Sequence, residues 1–140
     1  MRDTLRQSLA ICCLALAPTL GAMLLHPKQP GWDPNTLLEG EILLSAAVAL
    51  GQEVLWIDAR SSQEYEKRHI SHAVLLNEDQ WDQLLGDALD HWRPGQPVVV
   101  YCDSRFCKAS LGVARRLREE GVNPVYVLKG GWETWEASTK

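Results

Sequence analysis

Residues 98–110 read VVVYCDSRFCKAS, and the order of residue types in this stretch decides the fold. Three valines and a tyrosine favour extended backbone, because branched and aromatic side chains pack well on a pleated surface. The run stops at Cys102; a polar loop with Arg105 and Lys108 follows, and Cys107 stands five positions after the first cysteine. From Lys108 the pattern turns helical. In KASLGVARRLREEG, residues 108–121, Leu111, Ala114 and Leu117 are expected on one buried face, and Gly121 ends the helix. An all-apolar strand, a short loop and a helix form the unit of a parallel sheet covered on both faces.

The same unit recurs on either side. VLWIDA (54–59), AVLL (73–76), PVVVYC (97–102) and PVYVLK (124–129) read as strands that are apolar on successive residues. Between the first two lies SSQEYEKRH, with Ser61 or Ser62 as N-cap and Glu64 in the first turn. EDQWDQLLGDALDHW follows, with Trp81, Leu84, Leu85, Ala88 and Leu89 on one face. The expected fold is α/β, a central, mainly parallel sheet with helices on both faces. There are no internal repeats or low-complexity tracts, and the six tryptophans are read as packing groups.

With 140 residues, the chain has room for one ordinary domain beyond a targeting segment. Charged residues make up 23% of the chain, the formal net charge is -4, and the two signs are interspersed. No basic stripe exists to bind a polyanion, so nucleic acid is not an expected partner. The four cysteines are too few for a disulfide framework, since Cys12 and Cys13 are adjacent in an apolar run. His26, His69, His72 and His91 are scattered without ligand spacing, so no metal and no cofactor is expected.

The N-terminal segment, residues 1–30, carries Arg2 and Arg6 and then runs without a charge from Leu9 to Leu25. At about 1.5 Å per helical residue, that run just reaches across a hydrocarbon core. Small-x-small cleavage is poorly served: a cut after Ala17 leaves Pro18 first, and a cut after Ala22 meets Leu20. The segment is read as an uncleaved membrane anchor with the domain exported, a cleaved signal being the alternative. Residues 31–40 form a Pro-rich linker, and residues 41–140 form the domain.

In α/β sheets, ligands bind beyond the carboxyl ends of the strands, where loops meet helix N-termini. Cys102 falls at that position. Loop amides and the helix end direct positive partial charge there, so a free thiol beside Arg105 and Lys108 is expected to be a nucleophilic thiolate facing an anion.

These residues resemble a family. LWIDARSSQEYEKRHISHAVLL ahead of the cysteine loop and NPVYVLKGGWETW behind it are similar to a single rhodanese-like sulfurtransferase domain, over roughly residues 41–137. The resemblance rests on Asp-x-Arg at Asp58 and Arg60, His-Ile-x-x-Ala from His69, and Gly-Gly-x-x-x-Trp from Gly130. It implies that Cys102 is the catalytic nucleophile, taking a sulfane sulfur from thiosulfate or a persulfide and passing it to a thiol or cyanide. It also implies that Asp103, Ser104, Arg105, Phe106, Cys107 and Lys108 bind the substrate anion. Asp58 and Arg60 support the site from below, and His69 and His72 are packing and turn-fixing groups. The implied partners are a small sulfur-donor anion, a thiol acceptor and an unidentified protein acceptor.

The loop departs from the usual Cys-x-x-Gly-x-Arg of small rhodanese domains. Arg105 takes the glycine position and Cys107 the arginine position, while Lys108 falls six after Cys102, the spacing of phosphatase and arsenate-reductase loops on this fold. Lysine does not replace the bidentate arginine those enzymes require. Three alternatives therefore stand behind sulfur transfer: a catalytically silent binding module, a Cys102/Cys107 redox switch, and an arsenate-reductase or phosphatase-like activity. In a loop whose amides face an anion the side chains point outward, so Cys107 is expected to pack, with its sulfur directed away from that of Cys102.

Overall fold

Side chains along the central strands alternate between two apolar layers, and this alternation builds the molecule. The computed structural model describes residues 36–140, apart from Arg105 and Phe106 and the side chain of Gln52. The expected anchor at residues 1–30 and the first half of the linker, 31–35, lie outside the described residues. Among the described residues, no helix is long and apolar enough to cross a membrane.

Five strands form one parallel sheet: β1 (Glu41–Ile42), β2 (Leu55–Asp58), β3 (Val74–Leu75), β4 (Val98–Tyr101) and β5 (Val125–Leu128), in the order β1-β5-β4-β2-β3. The described helices are α1 (Leu44–Ala49), α2 (Ser62–Lys67), α3 (Trp81–His91), α4 (Ala109–Glu119) and α5 (Gly131–Ser138), with a short 3-10 turn at Gly51–Glu53. Leu55, Ile57, Val98, Val100, Val125 and Val127 point to one layer, where Trp81 and Ala88 of α3 and Val113, Ala114 and Leu117 of α4 cover them. Val99, Tyr101 and Leu128 point to the other, against Ala47, Ile70 and the partly buried Trp56, Trp132 and Trp135. The strands read as continuously apolar because both faces are buried. The α/β fold expected from the sequence is the fold observed.

The chain leaves β2 for β3 on one side and leaves β4 for β5 on the other. Between β2 and β4 the connections diverge, which places a topological switch point at the carboxyl ends of these two strands. Asp58 and Tyr101 are register partners at that end, and Cys102 follows directly.

Two details differ from the sequence reading. The α4 face is built from Ser110, Val113, Ala114 and Leu117, whereas Leu111 is 45% exposed. At about 100° per residue, Leu111 lies roughly a quarter turn or more from the centre of that stripe. The β1–α1 segment has no counterpart in the sequence pattern. A two-residue edge strand and a six-residue helix are too short to show a period.

Candidate functional site

The floor beneath the switch point is a buried polar cluster. Asp58, at the end of β2, accepts hydrogen bonds from the Arg60 backbone N–H (2.9 Å), Arg60 Nε (3.0 Å) and Nη2 (2.7 Å), and the Tyr101 hydroxyl (2.6 Å). Tyr101 Oη in turn accepts the Ile70 N–H at 3.1 Å. Arg60 also donates to the Arg68 carbonyl at 2.7 Å and lies over the Trp132 ring, 4.5 Å from its centroid. Asn77, itself buried, donates to the Arg60 carbonyl. A buried carboxylate needs this density of donors.

The electrostatics match the geometry. Burial works to lower the Arg60 pKa, but contact with Asp58 outweighs it and holds the guanidinium above its usual range. The Tyr101 phenol is pushed far above its ordinary value, first by burial and then by its bond to Asp58. It is a fixed donor at any physiological pH. Asp58 and Arg60 pair with each other in the buried floor; Tyr101 and Trp132 complete the cluster and carried no sequence signal beyond burial.

Above this floor, Cys102 is 3% exposed at the end of β4. The strand is tied on one side by the Ala59 N–H, which donates to the Tyr101 carbonyl at 2.8 Å. On the other side α5 clamps the loop: the Trp132 N–H donates to the Cys102 carbonyl (2.7 Å) and the Glu133 N–H to the Asp103 carbonyl (3.0 Å). The first-turn amides of α5 thus find acceptors in the loop itself. Two glycines permit this approach. Gly130 and Gly131 have φ of 79° and 56°, and a Cβ on Gly131 would overlap the Cys102 carbonyl.

Of the expected substrate-binding residues, Asp103, Ser104 and Cys107 are partly exposed around Cys102, and Lys108 is exposed at the N-cap of α4. Arg105 and Phe106 lie outside the described residues. The Asp103 carboxyl is held above the usual carboxylate range by burial and by the nearby charge of Glu64, with Arg60 acting the other way. Arg60 Nη1 stands 3.9 Å from Asp103 Oδ1 and so links the floor to the loop. His69 stacks on Tyr65, with Nδ1 2.8 Å from the Tyr65 carbonyl, and His72 occupies a left-handed turn at φ 64°. Neither reaches the cysteine loop by any described contact.

The two cysteines correct the sequence reading. Cys102 and Cys107 form a disulfide, with Cα atoms 6.2 Å apart, inside the roughly 4.4–6.8 Å that such a bond requires. The expected free thiolate at Cys102 and outward-facing sulfur at Cys107 are both replaced by this bond. The physical reason lies in the loop: the Cys107 N–H donates to the Ser104 carbonyl at 3.2 Å. That bond ties residue 107 to residue 104 and keeps its Cα within 6.2 Å of the Cys102 Cα.

Comparison with known proteins agrees with this construction. The Rhodanese-like domain family matches residues 44–138. The "Thiosulfate sulfurtransferase GlpE" of Coxiella burnetii is 34% identical over 86 residues, covering 61% of this chain and 75% of that protein. The protein of the same name from Actinobacillus pleuropneumoniae is 32% identical, covering 58% and 69%. Among solved structures, a rhodanese-related protein from Thermoplasma volcanium superposes with a TM-score of 0.57 at 14% identity, covering 70% of this chain and 91% of that one. A cysteine at the switch point of a parallel sheet, a clamped loop after it and a match spanning nearly every described element lead to one conclusion: the chain belongs to the rhodanese-like domain family.

Proposed function

We propose that the chain is a thiosulfate or persulfide sulfurtransferase in which reduced Cys102 is the nucleophile. Its thiolate attacks the outer sulfur of thiosulfate; the S–S bond of the donor breaks, sulfite leaves with the bonding pair, and Cys102 carries the sulfur as a persulfide. A thiol or cyanide then takes that outer sulfur and returns the thiolate. The observation that carries this reading is the position of Cys102, at the end of β4 with a clamped loop leading into the N-terminus of α4. That end of a helix favours both a thiolate and an approaching anion. The names of the curated relatives support the same chemistry. Thiocyanate formation from thiosulfate and cyanide by the pre-reduced protein tests it: turnover is expected, with loss to background in Cys102→Ser. Turnover by the variant near the parent rate would refute it.

The disulfide supports a second reading, a thiol–disulfide switch at the same loop. It also supports an exported domain, since disulfides persist in oxidising compartments. The chain is read as held at the membrane by residues 1–30, with Arg2 and Arg6 on the cytoplasmic side.

A further inference from the structure

We propose that Cys107 is a resolving residue that converts the Cys102 persulfide into free sulfide, which makes the protein a dithiol-dependent, sulfide-releasing transferase. This deepens the sulfurtransferase reading and rests on it. The outer sulfur of a Cys102 persulfide has two fates: an external acceptor removes it, or a neighbouring thiol displaces it. The first needs an acceptor to enter the loop, whereas the second needs only a sulfur already within bonding reach of Cys102. The second has its product in the structure, a Cys102–Cys107 bond closed across the Ser104–Cys107 turn. The position that gives the rhodanese loop its arginine holds a second sulfur instead, exchanging a grip on the anion for a way to discharge it.

The step balances. The Cys107 thiolate attacks the inner sulfur of the persulfide, Cys102 Sγ; the bond between Sγ and the outer sulfur breaks, and the outer sulfur leaves with the electron pair as hydrosulfide. The proton it needs comes from the Cys107 thiol as that group ionises. Two thiols have been oxidised to a disulfide and one sulfane sulfur reduced to sulfide. An external dithiol restores the enzyme: one thiolate attacks Cys107, the more exposed of the two sulfur-bearing residues, and Cys102 leaves as a thiolate at the helix end. The second thiol of the reductant then frees Cys107.

The experiment uses the full-length protein in detergent, pre-reduced, freed of reductant and mixed with stoichiometric thiosulfate. The parent protein is expected to release one sulfite and one sulfide per chain and to finish with Cys102 linked to Cys107 in non-reducing peptide maps. Cys107→Ser is expected to release one sulfite per chain, to keep one added sulfur on the Cys102 peptide and to release no sulfide. A parent protein that releases sulfite but keeps a stable persulfide beside a free Cys107 thiol would overturn the resolving role and leave sulfur transfer standing. No sulfite from either protein would overturn both.

Discussion

Asp58 shows how a single buried charge is made tolerable. It accepts from Arg60 through backbone and side chain and from Tyr101, and Arg60 in turn is capped by Arg68 and Trp132. Removing one partner strands the other. Arg60→Ala is expected to destabilise the fold by about 3–5 kcal/mol, read from chemical denaturation, because the Asp58 carboxylate would remain buried without its cation. Tyr101→Phe removes one donor to Asp58 and the acceptor of the Ile70 N–H, so a loss of about 1–3 kcal/mol is expected. Asp103 behaves in the opposite sense. Its raised pKa means that the folded chain holds this proton to a higher pH than the unfolded chain, so the group costs stability as pH rises from acid through its folded value. Asp103→Asn is expected to gain stability relative to the parent over that rise, and to flatten any increase in KM for thiosulfate across the same range. A stability difference independent of pH would refute the assignment. Cys102 was legible from residue type and order, as a cysteine at a strand end, and Asp58 and Arg60 were legible through the family resemblance that places them under the site. The sequence hid Tyr101 and Trp132, whose roles depend on a partner 43 residues away in one case and on one in the loop after β2 in the other.

At the scale of elements, two helix ends govern the site. Ser61 caps α2, accepting the Glu64 N–H while the Glu64 carboxylate accepts the Ser61 N–H, the reciprocal box that a serine three residues before a glutamate announces. Ser61→Ala is expected to cost about 0.5–2 kcal/mol, measured by thermal or denaturant unfolding. The N-terminus of α5 matters more for chemistry. Gly131→Ala places a Cβ against the Cys102 carbonyl and strains a positive φ, so the loop must shift. Impaired sulfite release with native-like circular dichroism is the expected result; a fully active variant would show that the clamp does not position the cysteine. The predicted strands at 54–59, 73–76, 97–102 and 124–129 each contain an observed strand trimmed by one residue at either end, because apolar runs continue past the last ladder pair. The disulfide was illegible for a different reason. A separation of five residues permits both a bridge and its absence, and the turn at Ser104 decides between them.

For the whole molecule, the sheet order β1-β5-β4-β2-β3 brings the ends of β2 and β4 together and thereby sets the buried Asp58 cluster beneath Cys102. Every proposed chemical role sits at that one switch point. If residues 1–30 anchor the chain as proposed, full-length protein is expected in the membrane pellet and resistant to alkaline carbonate extraction; a processed N-terminus on mature protein would establish a cleaved signal instead. The central claim is that Cys102 accepts sulfur. Its most direct measurement exposes pre-reduced Cys107→Ser protein to thiosulfate carrying a radiolabel in its outer sulfur and maps the label by peptide. The account predicts one label per chain on the Cys102 peptide, released by dithiol and absent from Cys102→Ser/Cys107→Ser protein. Label that is absent from the Cys102 peptide, or that binds the double variant equally, would contradict it.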